Sequence, residues 1–286
     1  MSDLEELPSP TSACYRSEVL LATDSGWYLV DKSGVRFLHR SSERLRSLCR
    51  THGITPESGI RVRESEVFFL KTQRGSVSPY GKVSPTIQSF DVTTGGTLQM
   101  VEFQNYYRLY LAGVFVKSGR AYYWSGYELY EFTKDGKQKL LCKVRNPISS
   151  LAVTEHKAES LKFYYNNIKG NVFFHSCTGN GDPRATTSVD CGMHCHLFGS
   201  DRNSVFGWNY KERQLYVISN GYVARKRCWM TKPVEMVSSG RNIYLLFDGR
   251  IEIVDTDSLS ISTLWNIPKG SLAVSESSRT FASVGP

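Results

Sequence analysis

Short runs of β-branched and aromatic residues, separated by polar turn residues, recur along the whole chain. They are four to seven residues long, and Gly, Asn, Asp or Ser divides one from the next. Examples are GWYLVD (26–31), AYYW (121–124), QLYVIS (214–219) and RIEIVD (250–255). This pattern is typical of β-strands joined by tight turns. The sequence therefore predicts an all-β protein.

One stretch, residues 42–53, follows a helical period instead. Ser42 can cap the helix, and Leu45, Leu48 and Cys49 recur at the spacing of one helical face. We expect one short helical insertion near residues 42–53, with its apolar face against the β-sheets.

The predicted strands repeat in larger units. Similar short motifs, each centred on an apolar residue, mark the first strand of each unit. These anchors are Val62, Leu111, Leu151, Leu197, Met236 and Leu272. The intervals between them are 49, 40, 46, 39 and 36 residues, which is the length of a four-stranded propeller blade. The third strand of several units ends in a turn led by an aspartate, which can accept hydrogen bonds from backbone amides two or three residues on. These aspartates are Asp31, Asp91 and Asp255.

The two ends of the sequence carry complementary parts of one unit. Only 14 residues follow Leu272, whereas the N-terminal part begins with strands of the later kind, such as EVLLATD (18–24). Together they would complete one blade and leave no free sheet edge. We predict a single six-bladed propeller over residues 14–286, closed by N- and C-terminal strands, with seven blades as the alternative. Residues 1–13 are acidic and rich in Pro and Ser, and we expect a disordered tail there.

The order of the motifs resembles that of kelch-type β-propellers. In SSGRNIYLLFDGRIEIVDTDSLSISTLW (238–265) an apolar strand, an Asp-ended strand and a Trp follow in kelch order, and AYYWSGYELYEFTKDGK (121–137) is similar. The double glycine usual after the second kelch strand is absent, and the Tyr/Trp pair is irregular. No unit contains the Gly-His and Trp-Asp pairs of WD repeats. The resemblance implies a propeller fold and points to no individual protein.

Composition places the chain among folded, non-membrane proteins. Of its 286 residues 40% are hydrophobic and 12% aromatic, enough for a substantial core. No apolar run approaches the roughly 18 residues of a membrane-spanning helix. The seven cysteines are scattered and the N-terminal stretch lacks an apolar signal segment. We expect an intracellular protein, cytoplasmic or nuclear.

The segment CGMHCH, residues 191–196, is the strongest candidate for metal chemistry. In the predicted register Cys191 ends the outermost strand of one blade and Cys195 begins the innermost strand of the next. Crossing a blade takes about 14 Å, which four extended residue steps just cover. Zinc needs its sulfur ligands within about 4 Å of each other. We therefore predict a blade-to-blade crossover that binds no metal.

Nearby residues do not complete a zinc site in this register. His175 and Cys177 alternate onto one face of the preceding strand, but hairpin pairing places them opposite residues 186–188, away from Cys191. The sequence contains no phosphate-binding glycine loop, no serine elbow and no HExxH motif. The prediction is for no cofactor, no metal and no catalytic residue.

A propeller that presents a rigid ring of loops without catalytic groups favours a protein-interaction scaffold. We expect a monomeric propeller that binds a protein or peptide partner on one face as part of a complex. The candidate partner-binding residues are Arg44, Arg46, Arg50, Arg108 and His196. Two alternatives stay open. The formal charge of +8 suits nucleic-acid binding through a basic surface, and a hydrolase or lyase could work from the mouth of the propeller channel.

The first prediction separates the two binding functions. If the protein binds nucleic acid through the predicted helix, replacing Arg44, Arg46 and Arg50 with serine should weaken binding and flatten its salt dependence. The slope should fall by about one unit for each lost phosphate contact. For a protein scaffold, the wild type should have little nucleic-acid affinity at physiological salt, and the triple variant should lose partner capture in a pull-down. We expect the scaffold result. Tight, salt-sensitive nucleic-acid binding that the variant abolishes would contradict it.

Overall fold

The structure is a computed structural model that describes residues 16–23, 26–37, 61–63, 66–72, 85–91, 94, 96–102, 112–133, 137–157, 160–178, 186–201, 204–267 and 270–277. Within these ranges the chain forms 24 β-strands and no helix, which confirms the all-β prediction. The helix predicted over residues 42–53 and the tail predicted over residues 1–13 lie outside the described ranges.

Sixteen consecutive strands form four separate antiparallel sheets of four strands each, with the strands in chain order. Sheet I contains β8 (Ala112–Lys117), β9 (Arg120–Ser125), β10 (Glu128–Phe132) and β11 (Gln138–Lys143). Sheet II contains β12 (Ser150–Lys157), β13 (Ser160–Asn166), β14 (Asn171–Thr178) and β15 (Thr186–His194). Sheet III contains β16 (His196–Ser200), β17 (Ser204–Asn209), β18 (Gln214–Ser219) and β19 (Tyr222–Cys228). Sheet IV contains β20 (Glu235–Ser239), β21 (Asn242–Phe247), β22 (Arg250–Asp255) and β23 (Ile261–Trp265).

The remaining eight strands form one sheet with the order β3-β2-β1-β24-β4-β5-β6-β7. Its N-terminal strands are β1 (Arg16–Thr23), β2 (Gly26–Asp31) and β3 (Gly34–Phe37). The next four are β4 (Arg61–Arg63), β5 (Glu66–Thr72), β6 (Pro85–Asp91) and β7 (Thr97–Glu102). The last strand, β24 (Gly270–Ser277), pairs antiparallel with β1 from Arg16↔Ser277 to Thr23↔Gly270. On its other side β24 pairs in parallel with β4 over three residue pairs.

Three repeat anchors lie on the first strand of a four-stranded sheet. Leu151, Leu197 and Met236 are on β12, β16 and β20, while Val62 and Leu272 are on β4 and β24 of the eight-stranded sheet. Leu111 lies outside the described residues. Contacts run in turn from β8 to β12, β12 to β16, β16 to β20 and β20 to β24. This is the arrangement of blades around a β-propeller axis.

The predicted aspartate-led turns follow the third strands, as expected. The Asp31 carboxylate accepts the backbone N–H of Ser33 at 2.8 Å. Asp91 accepts the N–H of Thr94 at 2.9 Å. Asp255 accepts the N–H groups of Asp257 and Ser258 at 3.1 and 3.0 Å. The carboxylate thus satisfies backbone donors that the tight turn leaves without a sheet partner.

Apolar side chains fill the space between neighbouring sheets. At the boundary of sheets III and IV, Trp208 and Phe206 pack against Met236, Ile243 and Leu245, and all five are buried. Sheets I and II meet in the same way through Tyr122, Leu151 and Phe163, among others. Each sheet therefore depends on its neighbours for burial of its faces.

The close approach of Gly113 to Trp124 gives a prediction about packing. The two residues face each other on β8 and β9, and a Cβ at Gly113 would overlap the buried indole ring of Trp124. Gly113→Ala should therefore lower the free energy of unfolding in urea by about 1–3 kcal/mol.

Gly96→Ala is the matched control, because Gly96 is exposed and a Cβ there would meet only the Thr94 hydroxyl, at 3.5 Å. We expect its effect to stay within about 0.5 kcal/mol. Equal stability of the two variants would show that the packing of Trp124 on Gly113 is described wrongly.

Candidate functional site

The sheet topology places two kinds of connection on the same side of the molecule. Because successive strands run antiparallel, the turn between the second and third strand of a sheet lies on the same side as the crossover to the next sheet. We call this side the cleft face. In sheet III, for example, the turn between the second and third strands comprises residues 210–213, and the crossover to sheet IV comprises residues 229–234. Turn 220–221 lies on the opposite face.

A cleft of about 610 Å³ opens on this face at the boundary of sheets II and III. Its walls are the β13–β14 turn (167–170), the crossover 194–196 and residues 208–212 of sheet III. Its size is in the range of sites that hold a small ligand or a few side chains of a peptide.

Asparagine side chains fix the two turns that border the cleft. The Asn167 Oδ1 accepts the N–H groups of Lys169 and Asn171 at 3.0 and 3.1 Å. In the second turn, the Asn209 Oδ1 accepts the N–H groups of Lys211 and Glu212, both at 3.0 Å. These Asx turns hold the backbone of the rim in place before any ligand arrives.

An aromatic and basic wall lines one side of the cleft. The His196 and Tyr210 rings lie 6.1 Å apart between centroids. The Lys232 Nζ sits over the Tyr210 ring at 4.5 Å from its centroid, a cation–π contact. Burial, with a smaller effect of Lys232, lowers the pKa of His196 to about 4. His196 is therefore a neutral imidazole at neutral pH, able to donate one hydrogen bond and accept another.

The charge of the cleft is positive. Lys169 and Lys211 are exposed at its rim, and Lys232 contacts the ring of the rim residue Tyr210. Glu212, the acidic residue of this rim, accepts a hydrogen bond from the Tyr216 hydroxyl at 2.8 Å. Three cations therefore face one carboxylate that already has a partner, which favours an anionic ligand.

Exposed apolar side chains concentrate on the cleft face. Ten large hydrophobic residues among the described side chains are exposed, and six of them lie on the turns, crossovers or strand ends of this face. They are Tyr127, Ile168, Tyr210, Met230, Val234 and Trp265. Met230 and Val234 are 88% and 75% exposed on the same crossover. These residues are distributed over sheets I to IV, and the cleft face thus exposes more large apolar side chains than the opposite face.

The structure places one predicted partner-binding residue in the cleft and does not describe the others. His196 lies in the wall beside Tyr210. Arg44, Arg46, Arg50 and Arg108 lie outside the described residues, so their proposed role stays a prediction. The sequence analysis missed Tyr210, Lys232 and the exposed crossover residues. A single aromatic residue in a turn carries no periodic signal, and its exposure depends on how neighbouring sheets meet.

The register predicted around residues 191–196 was partly wrong. The outermost strand β15 continues to His194, three residues beyond its predicted end at Cys191, and only Cys195 separates it from β16. A bulge allows this extension, because Gly192 has a φ of 66° and the β14–β15 register shifts between Asn171 and Phe173.

The predicted hairpin pairing of β14 is confirmed, since His175 pairs with Ser188 and Cys177 pairs with Thr186. That residues 191–196 bind no metal stays a prediction.

The basic segment 224–228 ties two sheets together. Arg225 donates a hydrogen bond to the carbonyl oxygen of Asp257 at 2.9 Å, and Arg227 donates to the carbonyl oxygen of Leu259. These guanidinium groups on β19 thus hold the β22–β23 connection of sheet IV. Their contacts explain this basic cluster without a nucleic-acid ligand.

Similarity to known proteins is confined to structure. No protein-family model matches the sequence, and a comparison with curated proteins finds no relative. A chain of a crystallised nidogen/laminin complex superposes with a TM-score of 0.53 at 11% identity, covering 91% of this chain and 98% of that one. The fold is a β-propeller. A streptogramin B lyase has a TM-score of 0.49 at 16% identity, covering 76% and 71%. The Pan2 WD40 domain of Neurospora crassa has a TM-score of 0.43 at 10% identity, covering 73% and 65%.

No helix in the described part of this propeller is long and apolar enough to cross a membrane.

The neutral state of His196 predicts how the stability of the propeller depends on pH. The pKa of His196 is about 4 in the fold and about 6.5 in an unfolded chain. Between these values the unfolded state binds more protons, so acidification from pH 6.5 towards pH 4 should destabilise the fold. In urea unfolding, His196→Gln should therefore lose less stability than the wild type between pH 7 and pH 5.

His194→Gln is the control, because His194 is exposed in the same cleft. Its profile shows what the loss of an exposed imidazole from this cleft does by itself. A His196→Gln profile that overlays the wild type would show that the pKa of this histidine is the same in the folded and the unfolded chain.

Proposed function

We propose that this propeller is a non-enzymatic scaffold that binds a protein or peptide segment on its cleft face. The observation that carries the proposal is the concentration of six exposed apolar residues on this face. Two of them, Ile168 and Tyr210, line the cleft, and the rim turns of this cleft are already fixed by asparagine side chains. A rigid rim reduces the entropy lost when a partner binds.

The chemistry of the cleft indicates what kind of segment would fit. Lys169, Lys211 and Lys232 favour carboxylates on the partner, and Tyr210 and Ile168 offer apolar contact area. Tyrosine in such a position is a frequent anchor of protein interfaces. We therefore infer an acidic segment that also carries apolar side chains. The solved nidogen/laminin complex is a propeller-like neighbour found in a protein–protein assembly, which agrees with this class of partner.

We further propose that the chain forms six blades in a closed ring. The eight-stranded sheet divides into two four-stranded units, β24-β1-β2-β3 and β4-β5-β6-β7, beside sheets I to IV. The antiparallel pairing of β24 with β1, and the contact between β4 and β8, support closure. Membership of the kelch-type propellers and an intracellular location are part of the same proposal and rest on the sequence.

The binding proposal is tested by replacing one tyrosine on each face with alanine. Tyr210 and Tyr222 belong to the same sheet and are 46% and 59% exposed, but Tyr222 follows turn 220–221 on the opposite face. Affinity purification of tagged protein from its native cells, with quantitative mass spectrometry, should give a set of partners with the wild type. Tyr210→Ala should weaken binding of these partners at least about tenfold, as expected for loss of an aromatic anchor. Tyr222→Ala should leave binding unchanged.

The possible outcomes separate the function classes. Loss of the partners with Tyr222→Ala, but not with Tyr210→Ala, would show that binding occurs on the face opposite the cleft and would contradict the proposal. Recovery of nucleic acid in place of protein, with steep loss of affinity as salt increases, would support the alternative of a nucleic-acid-binding propeller.

A further inference from the structure

Three side chains that bind soft metals meet between sheets I and II, away from the cleft. Cys142 lies on β11, and His175 and Cys177 lie on β14. Their ligand atoms are all within 4.8 Å of one another, and no other group of three His, Cys, Asp or Glu in the described part of the chain is as close. The cluster is therefore assembled by two sheets, with 32 residues of chain between Cys142 and His175.

Strand geometry explains why these three residues converge. His175 and Cys177 are two positions apart on β14, so their side chains leave the same face of sheet II. They pair with Phe163 and Leu161 on β13, which belong to the core between the two sheets. Cys142 enters the same core from β11, where it faces Leu129.

The surroundings of the cluster are apolar. Cys142 and His175 are 9% and 2% exposed, and Cys177 is half-buried against the same core. The Phe163 ring lies 4.9 Å from the His175 ring between centroids. A charged or unpaired polar group is costly in such a place unless a ligand or partner compensates it.

His175 lacks that compensation from the protein. Neither of its ring nitrogens makes a hydrogen bond, although the residue is almost fully buried. An imidazole buried without a partner costs about 1–3 kcal/mol. One ring nitrogen within 4.8 Å of two cysteine sulfurs is, by contrast, the kind of grouping that soft metal ions bind.

We propose that Cys142, His175 and Cys177 bind a zinc ion that links sheets I and II. Two thiolates and one neutral imidazole cancel the charge of Zn²⁺, so the complex carries no net charge into the apolar core. The thiol protons are released to solvent as the metal binds. Zn–S and Zn–N bonds of about 2.3 and 2.1 Å place ligand atoms roughly 3.5–4 Å apart. The ligand atoms of the cluster all lie within 4.8 Å of one another, so small side-chain movements would bring them to a common ion. A water or a further group would take the fourth position.

This proposal departs from the sequence-based expectation that the chain binds no metal. That expectation rests on the distance of His175 and Cys177 from Cys191, whereas the third ligand in the structure, Cys142, comes from a different sheet. Cys191 lies on β15 and is absent from the cluster. It therefore provides a cysteine control within the segment that first suggested zinc.

The experiment measures zinc in full-length protein purified under reducing conditions without chelators. We expect about one zinc per chain in the wild type and in Cys191→Ser, and a loss of at least about tenfold in zinc content in Cys142→Ser and Cys177→Ser. Replacing zinc with Co²⁺ should produce thiolate-to-cobalt charge-transfer absorption in the wild type. His175→Gln should weaken Co²⁺ binding and shift its visible bands, because one nitrogen ligand is lost.

Protection from alkylation keeps the proposal testable if the serine variants do not fold. In the wild type, added Zn²⁺ should slow iodoacetamide labelling of Cys142 and Cys177 and leave the exposed Cys228 unaffected. The proposal is overturned by a wild type that takes up neither zinc nor cobalt, by a disulfide between Cys142 and Cys177 in the reduced preparation, or by zinc that is lost only in Cys191→Ser.

Discussion

The pairing of β24 with β1 is the contact on which the rest of this architecture depends. It joins the first and last described strands over eight residue pairs, from Arg16↔Ser277 to Thr23↔Gly270. The same strand pairs on its other side with β4. Without β24, the β1 and β4 edges would both present unpaired backbone groups, and such edges invite aggregation. The contact also bridges nearly the whole chain, so its formation requires closure of a very long loop.

The proposed binding face depends in turn on how neighbouring sheets pack. The cleft has walls from both sheet II and sheet III, so its shape is set by how the two sheets pack. That packing is apolar and buried, with Leu197 and Val205 of sheet III against Ala152 and Tyr164 of sheet II. Local Asx turns then fix the rim within each sheet. The proposed zinc ion would connect sheets I and II, at the neighbouring boundary between sheets.

Much of the fold could be predicted from the sequence because strands and turns are local. Anchors such as Leu151 and Leu197 recur at blade length, and three of them lie on the first strands of four-stranded sheets. Asp255 forms the turn that its sequence context predicts. The predicted end of β15 at Cys191 was wrong, because the strand continues through a bulge around Gly192. Such a bulge arises from pairing with β14 and has no distinct sequence pattern.

The candidate site was less predictable because it depends on contacts between sheets. His196 was identified from its position near a crossover, whereas the Lys232 contact with Tyr210 joins a crossover to a turn 22 residues away. The cluster of Cys142 with His175 and Cys177 could not be predicted either, because it also joins residues of two sheets. Alternation along a strand predicts which side chains share a face, but only the packing of sheets shows which faces meet.

Hydrogen exchange of backbone amides, followed by mass spectrometry of peptides from the intact protein, tests closure of the ring most directly. If β24 completes a closed propeller, the peptide covering residues 270–277 should be protected to the same degree as peptides covering β1 and β21, and all should exchange through cooperative opening of the fold. Rapid exchange of residues 270–277, with β21 still protected, would show that the last strand is not part of the sheet and that the ring is open.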